Sequence, residues 1–196
     1  MTHLSAVAVY CGSSMGVDER FADAASALGG LVARRQLRLV YGGGHVGLMG
    51  VVADAALAAG GAVDGVITHA LEDKETAHHG LTSLRVVATM HERKAVMADA
   101  SDAFIMLPGG FGTLDEFFEV VTWTQLGVHA KPCGILDVEG YFSHLERFLD
   151  HAAAEGLIRP EHRAMIIVDA DPESLLNRLE GWEPTDAHRW LQPSER

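Results

Sequence analysis

AFIMLPGGFGTLDEFFE, residues 103–119, carries an apolar strand into a glycine loop that opens directly onto a helical pattern. Gly109, Gly110 and Gly112 let the backbone approach a ligand with no Cβ in the way, and the free N–H groups of a helix beginning near Thr113 point at whatever is held there. A phosphate fits such a place. Three residues beyond Thr113, Glu116 sets a carboxylate beside that anion. Thr-x-x-Glu is also a capping box, with Thr113 and Glu116 bonding each other's N–H groups, and spacing alone leaves both readings open. A second strand, glycine loop and helix, LRLVYGGGHVGLMG at 37–50, tilts the balance, because two such junctions in one small sheet suggest a shared ligand.

The same unit repeats outward along the chain. Strand-like runs at 4–10, 37–41, 62–68, 84–88, 103–107, 132–138 and 164–168 alternate with helical patterns at about 18–35, 46–59, 90–100, 113–127, 141–155 and 172–180. This alternation predicts an α/β fold, a Rossmann-like, doubly wound and mostly parallel sheet with helices on both faces. Ligands bind such sheets outside the carboxyl ends of the strands. Three loops are expected to converge there: Cys11 to Ser14, Tyr41 to Gly50, and Pro108 to Glu116.

With 196 residues, 48% of them hydrophobic, the chain is expected to form one domain over residues 1–180. The stretch from 181, GWEPTDAHRWLQPSER, loses the apolar period and reads as a C-terminal tail or docking arm. A formal charge of −12 argues against a nucleic-acid binder, which needs a basic face to release counterions. A small anion is still allowed, because a local pair such as Arg93 and Lys94 outweighs distant, screened acidic groups. No segment approaches the roughly 20 apolar residues that span a bilayer, and no N-terminal stretch sets a basic region before a long apolar run. Cys11 and Cys133 lie at or near strands and read as buried thiols. A soluble, cytoplasmic protein is expected.

Gly42-Gly43-Gly44-His45-Val46-Gly47 satisfies G-x-G-x-x-G, but Asp64, the nearest acid, falls inside a strand instead of at its end, where it would meet a ribose. A dinucleotide site, a tight structural turn and a mononucleotide-binding loop all remain open, the last placing Gly43 and Gly44 at the ligand. MHERK at 90–94 puts Arg93 and Lys94 near the same sheet edge; a solvated basic pair is the plain reading, and an arginine fork on a phosphate or ribose is the functional one. His45, His69, His78, His79, His91, His129 and His144 show no metal-ligand spacing, and no metal is expected. Without a G-x-S-x-G elbow, Ser13 and Ser14 suit phosphate or hydroxyl contacts better than nucleophilic attack. None of the three lysines, Lys74, Lys94 and Lys131, stands in a Schiff-base setting.

PGGFGTLDE fits the P-G-G-x-G-T-x-x-E motif of the LOG (Lonely Guy) family, and MHERK, YGGGHVGLMG and VYCGSS stand where that family carries its companion motifs. The resemblance runs from residue 5 to about 180, takes in GLIRPEH and TWTQLGVHAKP, and is carried by a combination more specific than any single motif. It implies a phosphoribohydrolase that cleaves the N-glycosidic bond of a nucleoside 5′-monophosphate, a cytokinin riboside monophosphate or AMP, to free base and ribose 5-phosphate. It implies no cofactor, and a homodimer with helices near the site packing across subunits. By matched position it makes Arg93 and Glu116 catalytic. The substrate contacts would be Glu75, Lys94, the loop from Gly110 through Phe111, Gly112, Thr113, Leu114 and Asp115, and Thr122. Asp115 departs from the glutamate many relatives carry, at an unspecified motif position.

Elementary chemistry agrees. Breaking a ribosyl bond builds oxocarbenium character on the sugar, which a nearby carboxylate stabilises. An arginine, protonated at any working pH, is no practical general acid and is expected to position phosphate and ribose. The rival from another class is a non-catalytic nucleotide-binding or carrier protein on the same fold, since fold alone does not separate the two.

Overall fold

The computed structural model describes residues 4–72 and 77–184. Its seven strands are β1 (Ala6–Tyr10), β2 (Arg38–Tyr41), β3 (Val63–Thr68), β4 (Ser83–Val87), β5 (Ala103–Met106), β6 (Cys133–Leu136) and β7 (Ile166–Asp169). They form one sheet in the order β4-β3-β2-β1-β5-β6-β7, with every pairing parallel. The order reverses between β1 and β5. Strands that follow β1 in sequence lie to one side until β5 returns to its other edge, and the connections leaving β1 and β5 diverge to opposite faces, opening a crevice above their carboxyl ends.

Both faces are covered, so the central strands are buried along their whole length, and alternate residues feed two cores. Val7 and Val9 point to one, packed under α1 (Arg20–Arg34), α2 (Gly47–Ala58) and α8 (Pro172–Glu180). Ala6, Ala8 and Tyr10 point to the other, under α4 (Met90–Asp99), α5 (Phe111–Leu126) and α6 (Ser143–Ala154). Gly29 explains how α1 and α2 come so close: a Cβ there would stand 2.2 Å from the Val52 carbonyl oxygen. A helical glycine costs roughly 0.5–1 kcal/mol against alanine, and the close helix contact it permits offsets that.

All seven expected strands and six expected helices are present, with ends shifted by one or two residues. Two four-residue helices, α3 (His69–Glu72) and α7 (Pro160–Arg163), and a 3-10 turn at Val138–Gly140 were not foreseen. A single turn is too short to show a period. One boundary matters to the site. α5 starts at Phe111, not near Thr113, with Gly110 as N-cap and no side-chain cap, so Thr113 and Glu116 lie inside the helix and form no capping box. The chain does build such a cap, at the start of α4: Thr89 Oγ1 accepts from the Glu92 N–H at 3.1 Å, and Glu92 reaches back to the Ala88 N–H at 3.0 Å. Trp182, in the stretch expected to be a tail, packs against the α1/α2/α8 core; residues 185–196 lie outside the described residues. No helix among the described residues is long and apolar enough to cross a membrane.

Candidate active site

The loops after β1, β2 and β5 are stitched together by main-chain bonds before any side chain is considered. Gly12 N–H donates to the Pro108 carbonyl and Leu48 N–H to the Gly12 carbonyl, each at 3.0 Å. Glycine makes this crossing feasible. A Cβ on Gly109 would lie 2.1 Å from Thr113 Oγ1 and 2.8 Å from Gly12 N, and one on Gly47, whose φ is +59°, would lie 2.2 Å from the Ser13 carbonyl carbon. Tyr141 fastens the loop from outside, its hydroxyl donating to the Gly109 carbonyl at 2.8 Å.

Above this junction lies a pocket of about 270 Å³. Gly110, Phe111, Gly112, Thr113, Asp115 and Glu116 supply one wall and Arg93 another, so seven of the expected residues meet here. The glycines now divide by role. Gly109 is required by the protein's own packing, whereas a Cβ at Gly110 or Gly112 would meet no protein atom within 4 Å. Open space beside the first turn of α5, where N–H groups have no intrahelical acceptor, is where an anion is held.

Arg93 is not the solvated charge of the plain reading; it is 4% exposed. Its Nε donates to the Val66 carbonyl and its Nη2 to the Gly42 carbonyl, both at 2.9 Å, and its Nη1 stands 3.3 Å from Glu116 Oε1. With Nη1 also donating to Met90 Sδ at 3.8 Å, three of its five N–H groups are engaged by Val66, Gly42 and Met90, which leaves at most two for Glu116 and a ligand. The guanidinium therefore ties the ends of β2 and β3 to α5 and aims the Glu116 carboxylate at the pocket. The cap-or-catalyst ambiguity of Glu116 gives way to a buried ion pair facing a cavity. The charge of Glu116 is felt nearby: burial first, then this carboxylate, pushes the Tyr10 phenol and the Cys11 thiol well above their usual ranges. Cys133 is pushed up to about 12 by burial, and neither cysteine is bonded to another.

Lys94, beside Arg93 on α4, is 8% exposed and bridges Asp115 and Glu119, at 3.1 Å each. Burial pulls its pKa down, but the two carboxylates more than offset this and leave it raised. An ammonium held this way is the reverse of the free amine that Schiff-base chemistry needs. Lys94 touches the pocket only through Asp115.

Other expected contacts sit elsewhere. Ser14 is exposed, accepting from Gly16 N–H at 3.3 Å, and its neighbour Ser13 lines the pocket instead. Gly43 and Gly44 are buried at a junction with the segment after residue 76: the Gly43 carbonyl accepts from His78 N–H at 3.0 Å, and Gly44 pairs with Ala77. Leu114 packs into the α4/α5/α6 core. Thr122 bonds its own helix through the Phe118 carbonyl at 2.7 Å and lines a different, apolar groove. Glu75 lies outside the described residues. Asp64 is bonded to Arg38 and Ser83 at the amino ends of β2 and β4, the edge of the sheet opposite the pocket, so it meets no ribose there.

Of the apolar part of the pocket, the sequence reading foresaw Phe111 but not the two methionines or Leu71. Met49, Leu71 and Met90 line it, with Phe111, 92% exposed, at its mouth. Such a surface suits the flat face of a base next to a charged sugar phosphate. Nothing in periodicity marks it, because these side chains arrive from α2, α3, α4 and α5 and meet only when folded.

Comparison with known proteins adds three findings. Residues 49–179 match the family model described as "Possible lysine decarboxylase". The chain is 50% identical over 171 residues to the cytokinin riboside 5′-monophosphate phosphoribohydrolase of Rhodococcoides fascians, covering 87% of this chain and 86% of that one. A protein of the same name from Arabidopsis thaliana is 47% identical over 180 residues, covering 92% and 79%. Among solved structures, the molybdenum cofactor carrier protein of Chlamydomonas reinhardtii superposes with a TM-score of 0.68 at 18% identity, over 91% of this chain and 98% of that chain. The molybdenum cofactor binding protein of Rippkaea orientalis does so with 0.67 at 19%, over 92% and 98%. Likeness at that distance carries the fold alone. Half-identity across nine-tenths of the sequence carries more, and with the family match it places this chain in the LOG family of phosphoribohydrolases.

Proposed function

We propose that the protein hydrolyses the N-glycosidic bond of nucleoside 5′-monophosphates, AMP or its N6-prenylated cytokinin forms, releasing the free base and ribose 5-phosphate. The observation that carries this reading is the Arg93–Glu116 pair facing a pocket whose other side is the unclaimed N-terminus of α5. The 5′-phosphate sits against the N–H groups of residues 111 to 113. The ribose then lies over Glu116, whose negative charge opposes the positive charge growing on the sugar as the bond to the base breaks. Arg93 stands beside Glu116 and orients it, and the apolar rim receives the base. The carrier reading loses ground because a ligand merely carried needs no buried carboxylate at the sugar.

Release of free adenine from AMP, followed by chromatography, tests the reaction. Adenosine is expected to be the poorer substrate by about 10² or more in kcat/KM, because binding energy from the remote phosphate positions the reacting bond. Equal kcat/KM for the two would remove the phosphate from the α5 terminus.

The homodimer also belongs to this proposal. A groove of about 370 Å³ runs between α5, α6 and α7, lined by Phe118, Val121, Leu145, Phe148 and Ile158, with Phe148 63% exposed. An apolar face of this kind suits a second copy of the chain, and Thr122 lies on it. Light scattering is expected to report twice the 21.0 kDa chain mass for the native protein and a single chain mass for Phe148→Asp. A native monomer would overturn the assignment. The cytoplasm is the compartment that goes with this proposal, and the nucleotide substrate and two unpaired thiols support it.

A further inference from the structure

His45, Asp54 and His78 come from the glycine loop after β2, the middle of α2, and the segment following residue 76, and nothing in their sequence spacing links them. The fold gathers them. One ligand-capable atom of each lies within 4.8 Å of the other two. His78 is 6% exposed with its Nε2 2.9 Å from Asp54 Oδ1, and the His45 ring stands edge-on to it, centroids 4.7 Å apart at 84°. None of the three lines the substrate pocket.

We propose that these three side chains bind a divalent transition-metal ion, of the zinc, cobalt and nickel class, at a site separate from the catalytic pocket. Two imidazoles held by one zinc at about 2.0–2.1 Å place their ring centres about 5 Å apart. The rings already stand at nearly that separation. Two nitrogens and one carboxylate oxygen suit this class of ion, whereas calcium and magnesium take oxygen donors almost throughout. Water completes the coordination, since Asp54 and His45 both reach solvent.

The affinity follows from what the ion displaces. Gly80 N–H donates to His78 Nδ1 at 3.1 Å, so without metal the ring carries its proton on Nε2 and donates it to Asp54. A metal takes the Nε2 lone pair, the ring proton moves to Nδ1, and the bonds to Gly80 and to Asp54 are exchanged for coordination of His78 and Asp54 to the ion. Losing those bonds, with only one ligand buried, sets a micromolar site. Its effect is mechanical. His78 N–H already holds the Gly43 carbonyl, and Gly44 pairs with Ala77, so a bound ion fastens residues 77–80 to both α2 and the glycine loop.

The test uses untagged, chelator-stripped full-length protein. Calorimetric titration with zinc chloride, and cobalt titration followed by its visible ligand-field absorption, are expected to give one site per chain in the micromolar range. His45→Ala, Asp54→Asn and His78→Ala each weaken binding by at least about tenfold, the lower end of what lost support around a metal does. His45 is exposed, so His45→Ala keeps the metal-free melting temperature and decides the matter even if His78→Ala folds poorly. Zinc binding to His45→Ala with native affinity, or no single site in the native protein, overturns the proposal.

Discussion

Glu116→Gln is expected to lower kcat on AMP by about 10² or more, the scale on which loss of one electrostatic stabiliser is felt. Glutamine keeps an oxygen that can accept from Arg93 Nη1 but removes the charge that opposes the oxocarbenium. AMP binding is expected to survive or tighten, because the variant takes a negative charge away from a dianionic ligand and frees the field of a buried guanidinium. No helix cap is lost, since α5 begins at Phe111 and Glu116 lies in its second turn. Stability should therefore fall only as far as the weakened pair allows. Turnover and binding are measured separately, by adenine release and by calorimetry. Native turnover in Glu116→Gln would leave the pocket without its catalytic group.

Arg93→Lys is expected to affect fold and function together. A solvated basic residue, the plain reading of the sequence, would accept a lysine with folding intact. The structure argues otherwise, because the planar fork is engaged at three points and a lysine ammonium on a different stem cannot reach the Val66 and Gly42 carbonyls and Glu116 at once. Breaking a buried pair and leaving carbonyls without donors costs roughly 3–5 kcal/mol. In a chain of this size that lowers the melting temperature by about 10 °C, at roughly 2–4 °C per kcal/mol. Activity should fall by at least about 10² as Glu116 loses its orientation. A variant that melts with the native protein and turns over AMP normally would show that Arg93 neither braces the sheet edge nor supports the reaction.

Much of this was open to a sequence reader. Each strand announces itself as a run of β-branched and apolar residues, and the long helices by helical patterns with Gly, Asp, Asn or Pro at most ends, because those preferences act between near neighbours. Glycine clusters after strands two and five were equally legible, since only glycine permits such loops, and they pointed to the edge of the sheet where the pocket lies. Motif comparison then selected Arg93, Glu116 and the loop from Gly110 to Asp115, which the fold does bring to one pocket, all but Leu114, which turns into the core.

What the amino-acid order determined by itself was the α/β architecture and the loops that form the crevice, because strand, turn and helix follow from contacts a few residues long. Which of those residues face the pocket was decided only by tertiary structure. Two Thr-x-x-Glu patterns look alike in sequence, yet Thr89 to Glu92 caps a helix and Thr113 to Glu116 does not. Gly109 is held by packing while Gly110 and Gly112 border open space. Arg93, read as a choice between solvent and substrate, is a buried brace paired with the Glu116 carboxylate. His45, Asp54 and His78 meet without any shared spacing. For Arg93 and for the His45, Asp54 and His78 cluster, the deciding contacts join segments that strand order and helix packing bring together, and no preference between neighbouring residues encodes them.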